Sequence, residues 1–217
     1  MRKSFVLVGI LILTAIGPTL SVAAPATTTG VGVLFGGQSF EANQSGTSTV
    51  NFSEMPSIVE VYTATWCSNC VDVEHALDYI ENDTGLQQYH THRAINEVQD
   101  PLGSIEIDQR FHDRYGIKAP PVVVFNGSVI KVGSVTDADS LESEFTELAQ
   151  QNMNISGSST FTWNPTSNST GTATWAIQPV DLTSIHDLDG YDEKSSLFAY
   201  AWIVEQSASF EEGSNGL

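Results

Sequence analysis

The spacing of apolar residues changes several times along this chain, and each change predicts a different element. Ser57-Ile58-Val59-Glu60-Val61-Tyr62 is a β-branched run of strand length that ends at Thr63-Ala64-Thr65-Trp66. From Val71 the period lengthens: Val73, Ala76, Leu77 and Ile80 recur at steps of three and four, as on one face of a helix. Arg93 to Val98 reads as a second strand, and Ile105 to Tyr115 as a helix of weaker periodicity. Pro121-Val122-Val123-Val124-Phe125 is a buried strand that Asn126-Gly127 turns into Ser128-Val129-Ile130-Lys131-Val132. Leu141, Phe145 and Leu148 form the stripe of a final helix, which Asp137 or Asp139 would cap. Strands interleaved with helices and closed by a hairpin predict an α/β fold, a central mixed sheet flanked by helices on both faces.

The regions on either side follow other rules. Arg2 and Lys3 precede the apolar run Phe5 to Ile16, and Ser21-Val22-Ala23-Ala24 offers small residues for cleavage, so residues 1–24 read as a secretory signal peptide. That apolar run is short for a membrane span, which needs about 20 residues, and the mature chain is expected to carry none. Residues 25–54 are rich in Thr, Gly and Ser, with one strand signal at Val31 to Phe35, and read as a linker or peripheral hairpin. The pattern thus gives an α/β domain over 55–151. Residues 152–217 alternate at Ser159 to Trp163, Thr172 to Val180 and Ser196 to Glu205, which predicts a small antiparallel β-rich domain. In the last of these, Phe198, Tyr200, Trp202 and Val204 share one face, and three strands are few for a sandwich.

Composition narrows the partners. With 41% apolar residues the chain has material for a core, and 26 acidic against 8 basic residues give a net charge of −18. Such a surface repels phosphate backbones and anionic membranes, so nucleic acid is excluded as an expected partner. Asn-x-Ser/Thr sequons at Asn43, Asn51, Asn82, Asn126, Asn154 and Asn168 are compatible with export to a cell-surface, extracellular or periplasmic location.

Two cysteines, Cys67 and Cys70, are all the chain has. A bridge between them closes a loop of a few residues and removes little entropy from the unfolded chain, so stapling explains them poorly. Cys67 lies where the strand gives way to the helix, close to the free amides and positive dipole end of the helix. Those groups favour the thiolate, the reactive form.

Val59-Glu60-Val61-Tyr62-Thr63-Ala64-Thr65-Trp66-Cys67-Ser68-Asn69-Cys70 resembles the active-site strand and turn of thioredoxin-like proteins. Tyr115-Gly116-Ile117-Lys118-Ala119-Pro120-Pro121-Val122 resembles the segment carrying that family's cis-proline, and Val132-Gly133-Ser134 the turn before its last helix. The resemblance covers about residues 55 to 150 and implies a thioredoxin-like fold. It implies an exported thiol-disulfide oxidoreductase in which Cys67 attacks a substrate cysteine and Cys70 resolves the mixed disulfide. Pro121, or Pro120 if the loop shifts by one residue, would be the cis-proline offering backbone hydrogen bonds to a bound peptide, and Trp66 would shield the pair. The implied partners are cysteine-containing exported proteins and a redox donor or acceptor; no cofactor is implied. The segment from Leu197 to Gln206 is also similar to the β-rich module of bacterial surface thioredoxin-like proteins.

Departures from the pattern bear on direction. Thioredoxin carries Gly-Pro between its cysteines and a buried aspartate six residues before the first, where this chain has Ser68-Asn69 and Val61. Glu60 is adjacent in sequence, but on a regular strand it points to the opposite face. Oxidase, reductase and isomerase all stay open. A metal reading enlists Cys67, Cys70, His75, His90 and His92, since exported copper-delivery proteins share this fold. His75, about 500° around the helix from Cys70, faces away, and Asp72, Glu74, His75 and Asp78 read as the wet side of that helix. No metal site is therefore expected, and no phosphate loop or catalytic triad is present. A non-catalytic binding module, with the β-rich region making contacts, is the remaining alternative.

Overall fold

A computed structural model describes residues 27–28, 32, 34, 37–95, 100–117, 119–134, 138–150, 156–167, 170–178, 200–205 and 208. The expected signal peptide, residues 1–24, lies outside them. The elements run β1 Thr27–Thr28, β2 Gly46–Asn51, a short 3-10 turn at Phe52–Glu54, β3 Ile58–Thr63, α1 Ser68–Thr84 and β4 Gln87–His92. There follow α2 Ile105–Tyr115, β5 Val122–Phe125, β6 Val129–Val132, α3 Ala138–Ala149, β7 Ser158–Ser167 and β8 Thr170–Ile177. The described residues form a mixed α/β structure with two sheets and three helices.

The larger sheet has the order β1-β6-β5-β3-β4. β3 pairs parallel with β4, Ile58 to Gln87 through Thr63 to His92, and antiparallel with β5, Val59 to Phe125 through Tyr62 to Val122. The parallel pair needs a long crossover, which α1 supplies; β5 and β6 need only the three-residue turn Asn126-Gly127-Ser128, in which Asn126 and Gly127 take positive φ (49° and 64°). Asn126 also accepts from Ile58 N–H through its side chain at 3.0 Å, which ties the hairpin to the start of β3.

Every residue of β3 is buried, because both faces are covered. Val59 and Val61 pack with Val73, Leu77 and Ile80 of α1 and Leu141, Phe145 and Leu148 of α3. Tyr62 points the other way, with Val122, Val124, Phe111 and Tyr115 on the side of α2. Glu60 shares that side: its carboxylate receives Tyr115 Oη–H and pairs with Arg110. The continuous register of β3 carries no bulge that could turn it toward α1.

Helix ends obey local rules. Gly85 (φ 66°) and Gly116 (φ 71°) close α1 and α2 in the left-handed conformation, and the Ser104 hydroxyl accepts from Ile107 N–H at the start of α2. α3 begins at Ala138, so Asp139 lies inside its first turn rather than capping it; Asp137 lies outside the described residues.

Three expectations are revised. The strand after α1 is Gln87–His92, not Arg93 to Val98; Arg93, Ala94 and Ile95 have left the sheet, and the rest of that stretch lies outside the described residues. Residues 25–54 supply one edge strand to each sheet: β1 pairs with β6, and β2 with β7. Of Val31 to Phe35, Gly32 and Leu34 are described and neither is in a strand.

The smaller sheet, β2-β7-β8, is antiparallel throughout. One of its faces carries hydroxyl pairs, Thr47 to Thr162 at 3.0 Å and Thr49 to Thr160 at 2.8 Å. Phe161 stacks on Trp175 and leans on Phe40, with ring centroids 4.9 and 5.3 Å apart. The last expected strand is absent from its described part, Tyr200 to Glu205. Trp202 instead packs edge-on against Tyr89 of β4, and the Arg110 guanidinium lies 5.0 Å from its ring centre.

Candidate functional site

The chain leaves β3 at Thr63, turns through Ala64, Thr65 and Trp66, and enters α1 at Ser68. Cys67 N–H donates to Ala64 C=O at 2.9 Å and Cys70 N–H to Cys67 C=O at 3.1 Å, so the turn runs straight into the helix. Cys67 is the N-cap residue and Cys70 lies in the first turn of α1; the two sulfurs form a disulfide. Cys67 is 7% exposed, Cys70 0%, and both pack on Ala64. Trp66, 38% exposed, flanks the pair, with the Arg93 guanidinium 5.8 Å from its ring centre.

Pro121 sits one residue before Val122, the partner of Tyr62 near the end of β3, and therefore at the sheet end from which the cysteine turn departs. The peptide bond between Pro120 and Pro121 is cis, and Pro121 C=O accepts from Gly133 N–H at 2.9 Å. Pro121 is buried and Pro120 half-buried. Neither proline has an N–H to donate.

A second layer of polar contacts, which leaves no local signal in the sequence, adjoins the turn. Asp100 is buried, and its carboxylate accepts from Thr65 N–H and, at 2.8 Å, from Leu102 N–H. Asp100 N–H donates to Arg93 C=O at 2.8 Å, and Arg93 N–H to Thr63 C=O at 3.0 Å. The loop after β4 thereby braces the turn before Cys67. His92 Nδ1 lies 3.3 Å from Asp100 Oδ1 but off hydrogen-bond alignment. Burial lowers the His92 pKa, and the Asp100 carboxylate partly opposes that.

Glu74 requires a correction. Asp72, His75 and Asp78 of α1 are exposed, but Glu74 is 7% exposed and accepts a hydrogen bond from Thr63 Oγ1. The signal was present: Glu74 is four residues after Cys70 and three before Leu77, on the buried stripe. Burial raises its pKa, and the Thr63 hydrogen bond partly offsets this. His90 Nδ1 stands 4.0 Å from Glu74 Oε1. His90 stands on the open side of β4 with its side chain 29% exposed, and desolvation of the covered part of the ring, then the charge of His92, lowers its pKa to about 4.

His75 is exposed on α1, apart from the disulfide. Among the described residues, no group of three or more His, Cys, Asp or Glu side chains is arranged to hold a metal ion. No helix among them is long and apolar enough to cross a membrane.

No known family model matches the chain, and no curated protein matches it. Among solved structures, the crystal structure of an Agrobacterium tumefaciens protein aligns with a TM-score of 0.34 and 16% identity, over 58% of this chain and 71% of that one. A likeness of that size assigns neither a family nor a function.

Proposed function

We propose that this chain is a thioredoxin-like, exported thiol-disulfide oxidoreductase acting on cysteines of other exported proteins. The observation that carries the reading is the Cys67–Cys70 pair at the N-terminus of α1, directly after the central strand β3 and beside the exposed Trp66. The path β3-α1-β4-α2-β5-β6-α3, with β3 between a parallel and an antiparallel neighbour, supports it. So does the position of cis Pro121 at the same end of the sheet. Export rests on the N-terminal sequence pattern.

In the reducing direction, Cys67 thiolate attacks one sulfur of a substrate disulfide and expels the other as thiolate. Cys70 then attacks Cys67 Sγ, forms the intramolecular disulfide and releases the second substrate thiolate. Oxidation of a substrate dithiol runs the same two steps backward from the Cys67–Cys70 disulfide. Turnover in an insulin-reduction or dithiol-oxidation assay, with Cys70→Ser trapping mixed disulfides through Cys67, tests the reading. A pair that neither turns over nor traps a partner overturns it.

One observation favours a second reading, a binding module. β8 is exposed along its whole length, with Trp175 39% exposed and Ile177 also open, so the smaller sheet presents apolar surface.

A further inference from the structure

The resolving step of that exchange requires Cys70 to lose a proton, because the attacking species is the thiolate. Cys70 is wholly buried, so bulk water is poorly placed to take it. A neighbouring base is needed, and the buried carboxylates are few.

Glu60 and Asp108 are on the α2 side of the sheet and already engaged: Glu60 by Arg110 and Tyr115, Asp108 by Tyr62 Oη–H at 2.8 Å and by Ala94 and Ile95 N–H, each at 2.7 Å. Asp100 is occupied by Thr65 and Leu102 N–H. Glu74 differs. It lies one helical turn after Cys70, a spacing that sets both side chains on the same face of α1, turned toward β3. Its hydrogen bond comes from Thr63 Oγ1, at the end of the strand whose turn delivers Cys67. The Glu74 carboxylate is therefore held on the helix face that carries Cys70 and tied to the end of the strand whose turn delivers Cys67.

We propose that Glu74 accepts the Cys70 proton as Cys70 closes the disulfide, with Thr63 holding the carboxylate in position. In this step Cys70 sulfur attacks Cys67 Sγ of the mixed disulfide, the Cys67–Cys70 bond forms and the substrate thiolate leaves. The Cys70 proton passes to Glu74 and from there to solvent. The titratable groups facing Glu74 are Asp78 and His75 from its own helix, His90 from β4 and Asp100 from the following loop. Burial makes Glu74 a stronger base than an exposed glutamate. His90 is neutral at neutral pH and does not lock the carboxylate into a permanent ion pair.

The inference rests on the exchange reading, and one experiment separates the two. Reduced full-length protein is mixed with dithionitrobenzoate in a stopped-flow instrument. The first thionitrobenzoate released reports attack by Cys67, and the second reports closure by Cys70. Glu74→Gln is expected to leave the first phase within about twofold, slow the second by at least about tenfold, and move its pH midpoint upward. Glu74→Asp, which keeps a carboxylate, recovers part of the second phase. An unchanged second phase and pH profile in Glu74→Gln overturns the proposal, and so does equal slowing of both phases. A wild-type protein that releases only the first thionitrobenzoate overturns the exchange reading, and this proposal falls with it.

Discussion

The strands β3 and β8 put the same backbone geometry to opposite uses. β3 is buried at all six positions, covered by α1 and α3 on one face and α2 on the other, whereas β8 is exposed at all eight. Burial on both faces lets the larger sheet hold groups that water would otherwise solvate: Glu60, Glu74, Asp100, Asp108 and Lys131 are all buried there and hydrogen-bonded. Such groups hold fixed positions because leaving them unpaired is costly. The smaller sheet is held by ring stacking and hydroxyl pairs along strands that remain open to solvent. The comparison teaches where chemistry can reside: a preorganised site needs the buried layer, and an open sheet offers contact surface.

The largest effect expected from breaking this contrast is chemical. Cys67→Ser should abolish turnover in the dithiol-oxidation assay, while Trp175→Ala, on the open sheet, should leave the rate within about twofold if the exchange step depends only on the buried layer. The second effect is on stability. Phe145→Ala removes a ring packed 5.4 Å from Phe125 between α3 and the sheet, and should cost about 3–5 kcal/mol in urea denaturation. Next is the buried ammonium of Lys131, which Glu144 pairs from a partly exposed position on α3. Lys131→Ala leaves a cavity and an unpaired carboxylate and should cost about 1–3 kcal/mol, whereas Lys131→Met leaves the same carboxylate unpaired but fills the cavity and should cost less.

The pH dependence sharpens the contrast further. His90 has its folded-state pKa lowered to about 4 from an ordinary 6.5, so the fold favours the neutral ring. Its contribution is fully present above pH 6.5 and is lost as pH falls toward 4, because the unfolded chain takes up the proton first. His90→Gln should flatten that acid limb in denaturation curves taken across this range; an unchanged slope would assign the limb to other groups. The smallest effect belongs to Ile177→Thr on exposed β8, which should change stability by less than about 0.5 kcal/mol.

How far the chain could be read depends on the same contrast. α2 falls at Ile105–Tyr115, where the periodicity located it, and β3, β5 and β6 follow from apolar runs around one Asn-Gly turn. These elements have buried faces, and burial leaves a periodic trace. β4 was displaced because Gln87-Gln88-Tyr89-His90-Thr91-His92 is a polar edge strand with little apolar alternation. β2 was hidden for the same reason: Gly46-Thr47-Ser48-Thr49-Val50-Asn51 is half-exposed and finds its partner more than a hundred residues later, in β7. The alternation at Tyr200, Trp202 and Val204 did mark an apolar contact, yet Trp202 makes it as a single side chain on Tyr89 and Arg110 rather than from a strand.

Of the candidate site, Trp66, Cys67, Cys70 and Pro121 or Pro120 were expected from the resemblance of their segments to thioredoxin-like proteins, and the structure pairs Cys67 with Cys70 and makes the Pro120–Pro121 bond cis. Asp100 was invisible because its partner, Thr65, is a backbone amide thirty-five residues away, and no local pattern reports such a contact. The charge of Glu74 reads as a wet-side position, whereas its spacing sets it on the buried stripe beside Cys70 and Leu77. A carboxylate on a core face marks either an error of register or a group with a partner, and here the partner is Thr63.

The most direct test of the exchange chemistry is equilibration of the full-length protein in glutathione redox buffers, with alkylation and mass spectrometry counting reduced Cys67 and Cys70. Exchange chemistry predicts reversible interconversion of the pair, with a potential within about 100 mV of the glutathione couple. A disulfide that stays fully oxidised against excess strong thiol would contradict it, and would turn attention to the open sheet β2-β7-β8 as the working surface.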